Sequence, residues 1–157
     1  MGNGQILFLN IDRNATLMPI QGDEKMSEIT FLRTYTDPDD TELINCNSDT
    51  PTRGVTFEIR PARGLKLGDA IQTTWVGSFR GEELTETKKI IGRFVNEEDV
   101  NKGYLEETVG DYQTCIKPIR NGTADVRVVI NRDEGNPVLG SIRVILINGL
   151  GDYCPGH

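Results

Sequence analysis

Apolar and polar residues alternate with a period of two along much of the chain, the mark of strands with one buried face. Val55, Phe57 and Ile59 alternate with Thr56, Glu58 and Arg60, which predicts a half-buried strand that Pro61 ends. Val126, Val128 and Ile130 alternate in the same way with Arg127, Val129 and Asn131. Ile29, Phe31, Arg33 and Tyr35 share one face of another strand. Between Thr87 and Val95, Lys89, Ile91, Arg93 and Val95 share one face, and Ile90 and Phe94 the other. Further extended segments are expected at Gln5–Ile11, Glu42–Cys46, Ala70–Val76, Gln113–Ile119 and Ser141–Ile147, the last being the most apolar.

Turn chemistry separates these segments. Asp37-Pro38-Asp39-Asp40, Asn47 to Pro51, Gly64 to Asp69, Gly77 to Gly81 and Arg132 to Pro137 carry the residues that favour turns, and Asn121-Gly122 is the strongest hairpin signal. One helix candidate spans Asn96 to Glu107, expected to be one or two turns long. Asn96 is its N-cap, Glu97, Glu98 and Asp99 suit the positive end of its dipole, and Gly103 weakens its middle. Short strands between glycine, proline and asparagine turns predict an all-β, antiparallel sandwich with at most one short helix.

The 157 residues suit one domain. Hydrophobic residues at 36% and charged residues at 26% are ordinary for a water-soluble globular chain, and the scarcity of aromatics leaves the core to Ile, Leu and Val. A formal charge of −7 with scattered Lys and Arg argues against nucleic acid and anionic membranes. No apolar run approaches the roughly 20 residues needed for a transmembrane span. The start lacks the regions of a signal peptide, and Ile6 breaks the myristoylation pattern. Cytoplasmic synthesis is therefore expected, with any export or cell-surface role reached by a non-classical route. Cys46, Cys115 and Cys154 form no zinc or framework spacing; they read as buried free thiols, or as a Cys115–Cys154 bridge and one free thiol.

Candidate chemistry is sparse. The only histidine, His157, ends the given sequence, where a catalytic triad or zinc site is hard to hold rigid. Calcium candidates are Asp37, Asp39 and Asp40 on one loop and Asp133, with Glu134 and Asn136, on another; neither loop matches an EF-hand. Gly64 to Gly68 fits no phosphate-binding fingerprint, and the sequons at Asn14 and Asn121 read as chance matches. No cofactor is expected.

Four stretches carry a family resemblance. They are Val55-Thr56-Phe57-Glu58-Ile59, then Leu67-Gly68-Asp69-Ala70-Ile71 leading to Trp75-Val76-Gly77, then Val126-Arg127-Val128 and Ser141-Ile142-Arg143-Val144. Through them Gly54–Ile147, roughly three-fifths of the chain and domain-sized, resembles the bacterial immunoglobulin-like repeats of large surface or secreted proteins of pseudomonads and their relatives. The resemblance implies an immunoglobulin-like sandwich over 54–148, with Trp75 over its core and Gly77 letting the strand leave sharply. It leaves 1–53 as an N-terminal β extension packed on the sandwich and 149–157 as a C-terminal tail. Cys46 lies outside the matched segment, so Cys46 and Cys115 are not read as an antibody-type pair.

Residues Tyr104 to Pro118 look like an insertion in that pattern, and a loop on a rigid scaffold commonly binds. The functional expectation is a non-enzymatic module with a basic protein partner, engaged over Asn96–Pro118 through Tyr104, Glu106, Glu107, Asp111 and Tyr112. The rival readings are a secreted or injected toxin component, a calcium-dependent or carbohydrate-binding module, and a small hydrolase using carboxylates.

Overall fold

The expected alternation resolves into two sheets whose inward rows meet. The computed structural model describes residues 26–48 and 51–155; the expected strand Gln5–Ile11, the sequon at Asn14 and His157 lie outside the described residues. The smaller sheet is antiparallel, in the order β1 (Glu28–Phe31), β4 (Val55–Arg60), β7 (Leu105–Val109). The larger runs β2 (Tyr35–Thr36), β3 (Glu42–Asn45), β9 (Val138–Ile145), β8 (Asn121–Ile130), β5 (Ala70–Phe79), β6 (Glu82–Phe94). Its neighbours are antiparallel except for β3 and β9, which run parallel.

Phe57, Ile59, Leu105 and Val109 from the small sheet and Trp75, Val126, Val128 and Val144 from the large one form one buried core. The described residues form an all-β sandwich with one short α-helix, as the periodicity predicts. No helix among the described residues is long and apolar enough to cross a membrane.

Several local expectations need correction. The single strand expected over Ile29 to Tyr35 is broken at Leu32–Arg33, where Arg33 takes φ 55°. Residues before the break join the small sheet and those after it the large one, so the chain turns a corner of the sandwich. The helix, α1 (Glu97–Lys102), ends at Gly103, whose φ of 83° makes it a left-handed cap and not a weak interior residue. Leu105, Glu107 and Val109 then point inward from β7, which replaces the expected helical end.

Gln113–Ile119 is not extended. A π-helical turn, Tyr112–Ile116, leads into a 3₁₀ turn, Lys117–Ile119. Tyr112, Cys115, Ile116 and Ile119 are all buried, and their spacing of three, four and seven is the helical period itself. Asn121-Gly122 is no hairpin turn but the start of β8; a Cβ at Gly122 would collide with the Ser78 carbonyl of β5. The tight turn is at Arg80-Gly81, with φ 55° and 82°. Gly77 likewise stays inside β5, because a side chain there would strike Ile119.

The cysteines pair as neither reading held. Cys46 and Cys154 form a disulfide with Cα atoms 5.5 Å apart, and Cys115 is the buried free thiol. The bridge, the Ile147–Tyr153 β-bridge and a 3.2 Å hydrogen bond from the Tyr153 hydroxyl to the Lys117 carbonyl hold residues 147–154 against the body.

One inward hydroxyl is out of place. Thr73 is fully buried on β5, and its Oγ1 has no hydrogen-bond partner among the described residues. Thr73→Val should stabilise the fold by about 1 kcal/mol, because it removes an unmet buried polar group at constant shape. Urea unfolding followed by circular dichroism checks this; a destabilised variant would mean that the hydroxyl is satisfied in solution.

Candidate functional site

The large sheet buries one face and leaves the other open. In β5, Ile71, Thr73 and Trp75 point to the core, so Gln72, Thr74 and Val76 point out. Pairing aligns Thr74 with Ile90 of β6 and with Arg127 of β8, and Arg127 with Leu139 of β9, so one outer row crosses four strands. Leu139 is 64%, Ile90 54% and Phe94 69% exposed, high values for large apolar side chains.

Two shallow depressions occupy this face. One, of about 790 Å³, lies between Val76, Glu83, Lys88, Asp125, Arg127 and Leu139. The other, of about 470 Å³, lies between Gln72, Ile90, Phe94, Val129 and Arg132. The polar groups of the first are partly engaged: the Ser141 hydroxyl donates to Asp125 at 2.8 Å, and Arg127 pairs with Glu134 at 3.0 Å.

The rim of this face is shaped by a bulge. Trp75 pairs with Lys89 and Gly77 with Leu84, so four residues of β6 stand opposite Val76 alone. Thr87 secures the excursion: its hydroxyl accepts from the Gly77 amide at 2.7 Å and donates to the Leu84 carbonyl at 2.6 Å. Such a bulge re-aims side chains and interrupts a long edge strand that would otherwise pair with another chain.

The residues expected to bind do not form one surface. Tyr112 is a core residue, and burial pushes its pKa up to about 12. Glu107 is buried in β7 and accepts from Arg93 Nε at 2.8 Å. Asp111 is exposed and paired with Lys89 at 2.9 Å. Tyr104 is half-buried, with the Arg60 guanidinium 4.5 Å and the Lys102 ammonium 5.2 Å from its ring centre. Glu106 is exposed on the outer row of β7. The expected insertion is thus a packing segment: its helical period seats Tyr112 inward, and Arg93 takes up Glu107.

Arg93 organises that corner. It holds Asp99 with two bonds, 2.7 and 3.1 Å, and Asp99 in turn accepts from the Asn96 amide at 2.9 Å while the Asn96 side chain accepts from the Asp99 amide at 2.9 Å. This is a capping box tied to the sheet. The Arg93 hydrogen bonds lower the Asp99 pKa below its ordinary 3.8. A carboxylate with a depressed folded-state pKa stabilises the fold at any pH above its unfolded pKa. That contribution is lost as the pH falls through the folded value. Asp99→Asn should therefore cost about 1–3 kcal/mol at neutral pH and progressively less in acid below 3.8. Urea unfolding across that pH range tests it; a penalty that does not shrink would assign the effect to packing.

Two of the calcium candidates, Asp37 and Asp133, serve their own turns. Asp37 Oδ1 accepts from the Asp39 and Thr41 amides at 3.0 and 2.8 Å, and Asp133 accepts from the Asn136 side chain at 3.1 Å. Among the described residues no three His, Cys, Asp or Glu side chains are grouped to hold a metal. The outer sheet face is hard to see in the sequence because Leu139 falls before the expected strand Ser141–Ile147 and Ser141 looks like the polar half of an ordinary alternation. The signal for it was Ile90 and Phe94, both apolar on the face opposite Ile91 and Val95.

No family model, no curated protein and no solved structure matches the chain.

Proposed function

We propose that the chain is a non-enzymatic protein-binding module on an immunoglobulin-like sandwich, and that it docks through the open face of its large sheet. The observation that carries this reading is that Ile90 and Phe94 on β6 and Leu139 on β9 are exposed on one face, with Thr74 and Arg127 between them and Lys88, Asp125 and Glu83 beside them. Exposed apolar side chains interspersed with charges of both signs suit a protein interface. A glycan partner is less well served, since among the described residues Phe94 is the one aromatic ring lining the two depressions. The Cys46–Cys154 bridge supports work in an oxidising compartment, where disulfides persist.

The test is a double variant, Phe94→Asp/Leu139→Asp. A protein captured by the intact chain should be lost by this variant at unchanged melting temperature. It should be kept by Tyr104→Ser/Glu106→Gln, which alters the surface first expected. Capture that survives the first variant and fails in the second would move the site to the β7 side.

A further inference from the structure

The hairpin end of the large sheet carries an arrangement that neither the core nor the open face requires. Phe79 lies between two guanidinium groups: Arg80 Cζ is 5.1 Å and Arg120 Cζ 4.7 Å from its ring centre. Next to them, Lys117 Nζ sits 4.7 Å from the centre of the Tyr153 ring, and Arg143 donates to the Asn121 side chain at 3.1 Å. Arg60, Arg63, Lys89, Arg93, Lys102 and Arg127 each pair with a carboxylate. Arg80, Lys117, Arg120 and Arg143 form no ion pair among the described residues, which is also true of Arg53, Lys66, Lys88 and Arg132 elsewhere. What sets this end apart is that three of its four cations lie over aromatic rings.

The backbone adds an independent observation. Arg80 and Arg120 hold φ of 55° and 60°, a region that side chains with a Cβ rarely enter. Arg80 stands where a tight hairpin turn with positive φ at both central residues favours asparagine or glycine. Arg33 and Arg132 share such φ values, 55° and 62°, and what distinguishes Arg80 and Arg120 is that both lie over the same ring. Strain of this kind persists where the side chain has a use.

We propose that Arg80 and Arg120, fixed by Phe79 and supported by Lys117 and Arg143, bind the carboxylates of an acidic peptide segment. A guanidinium lying on an aromatic ring keeps its in-plane N–H donors free, and that flat fork matches a carboxylate with two parallel hydrogen bonds. Glu82 and Glu83 follow directly on the hairpin and disfavour a densely charged polyanion. A peptide with spaced carboxylates meets less of that repulsion. This site adjoins the open sheet face at Glu83 and Arg143, but it rests on Arg80 and Arg120, which do not line that face, and it stands whether or not that face docks a protein.

The probe is a fluorescein-labelled peptide of three glutamates separated by Gly-Ser pairs, titrated with the intact disulfide-bonded chain at low salt and followed by anisotropy. Saturable binding is expected, weakening as salt screens the charges. Arg80→Asn and Arg120→Gly should each weaken it by about tenfold, the loss of one charge-assisted bond, while the melting temperature holds or rises because strain is relieved. Arg80→Lys/Arg120→Lys keeps the charge and loses the fork, and should weaken binding as well. Arg60→Gln, which removes a cation already paired with Glu58 on the small sheet, should leave it unchanged. Absence of saturable binding, binding that survives the Arg80→Asn/Arg120→Gly double variant, or tighter binding of a sulfated heparin oligosaccharide than of the peptide would each overturn the proposal.

Discussion

Trp75→Ala should lower the unfolding free energy by about 3–5 kcal/mol, the range for truncating a large buried aromatic. The indole is fully buried in the middle of β5, between the sheets, and its Nε1 donates to the Cys115 carbonyl at 2.9 Å. Truncation therefore opens a cavity and strips a buried carbonyl of its donor at once. That carbonyl belongs to the π-helical turn, so the same variant should loosen Tyr112–Ile116. Trp75→Phe separates the two effects: it keeps most of the apolar volume and loses the hydrogen bond, and should cost about 1–3 kcal/mol, the penalty of an unmet buried carbonyl. Urea denaturation followed by circular dichroism measures both, since the fluorescent probe itself is removed. A loss below about 1 kcal/mol for Trp75→Ala would place the indole at the surface and reopen a ligand-stacking role for it.

The fold class was legible because inward and outward rows are written in the sequence at period two. Val55-Phe57-Ile59 and Val126-Val128-Ile130 sit on facing sheets as their alternation requires. What misled was glycine chemistry with two explanations. Gly122 after Asn121 has the composition of a hairpin turn, yet it is glycine because the Ser78 carbonyl passes where a Cβ would stand. Only the neighbouring strand reveals that. Gly103 was the converse, read as a weakness inside a helix when it ends one.

The candidate site was the least legible part. Acidic residues from Glu97 to Asp111 look like one surface when written in a line. Folding sends Asp99 and Glu107 inward to Arg93 and leaves Glu106 out, because a strand separates adjacent residues onto opposite faces. The open face and the hairpin cluster draw together residues more than sixty positions apart in sequence, such as Arg80 and Arg143. No local pattern announces such a grouping; the strand order creates it.

Opening the Cys46–Cys154 bridge should cost about 2–5 kcal/mol, near the upper part of that range because the bonded residues are 108 apart. In the chain-entropy account a loop of about 100 residues is worth about 4.7 kcal/mol, almost all of it through the unfolded state. The native state adds a local effect. Cys46 follows β3, whose parallel pairing with β9 is short, and Cys154 fixes the segment that places Tyr153 on Lys117. Reduction frees both ends together.

Cys46→Ser is the cleaner variant, since Cys46 is exposed and Cys154 buried, so no new polar atom enters the core. It should unfold at the same urea concentration as the reduced chain and be insensitive to added thiol. Cys115→Ala should respond to thiol as the unmodified chain does, because its sulfur takes no part in the bridge. Thiol titration of the denatured, unreduced chain should find one free group. Three free groups, or equal stability with and without reductant, would show that the bridge does not form in solution. The sandwich would then rest on its core alone.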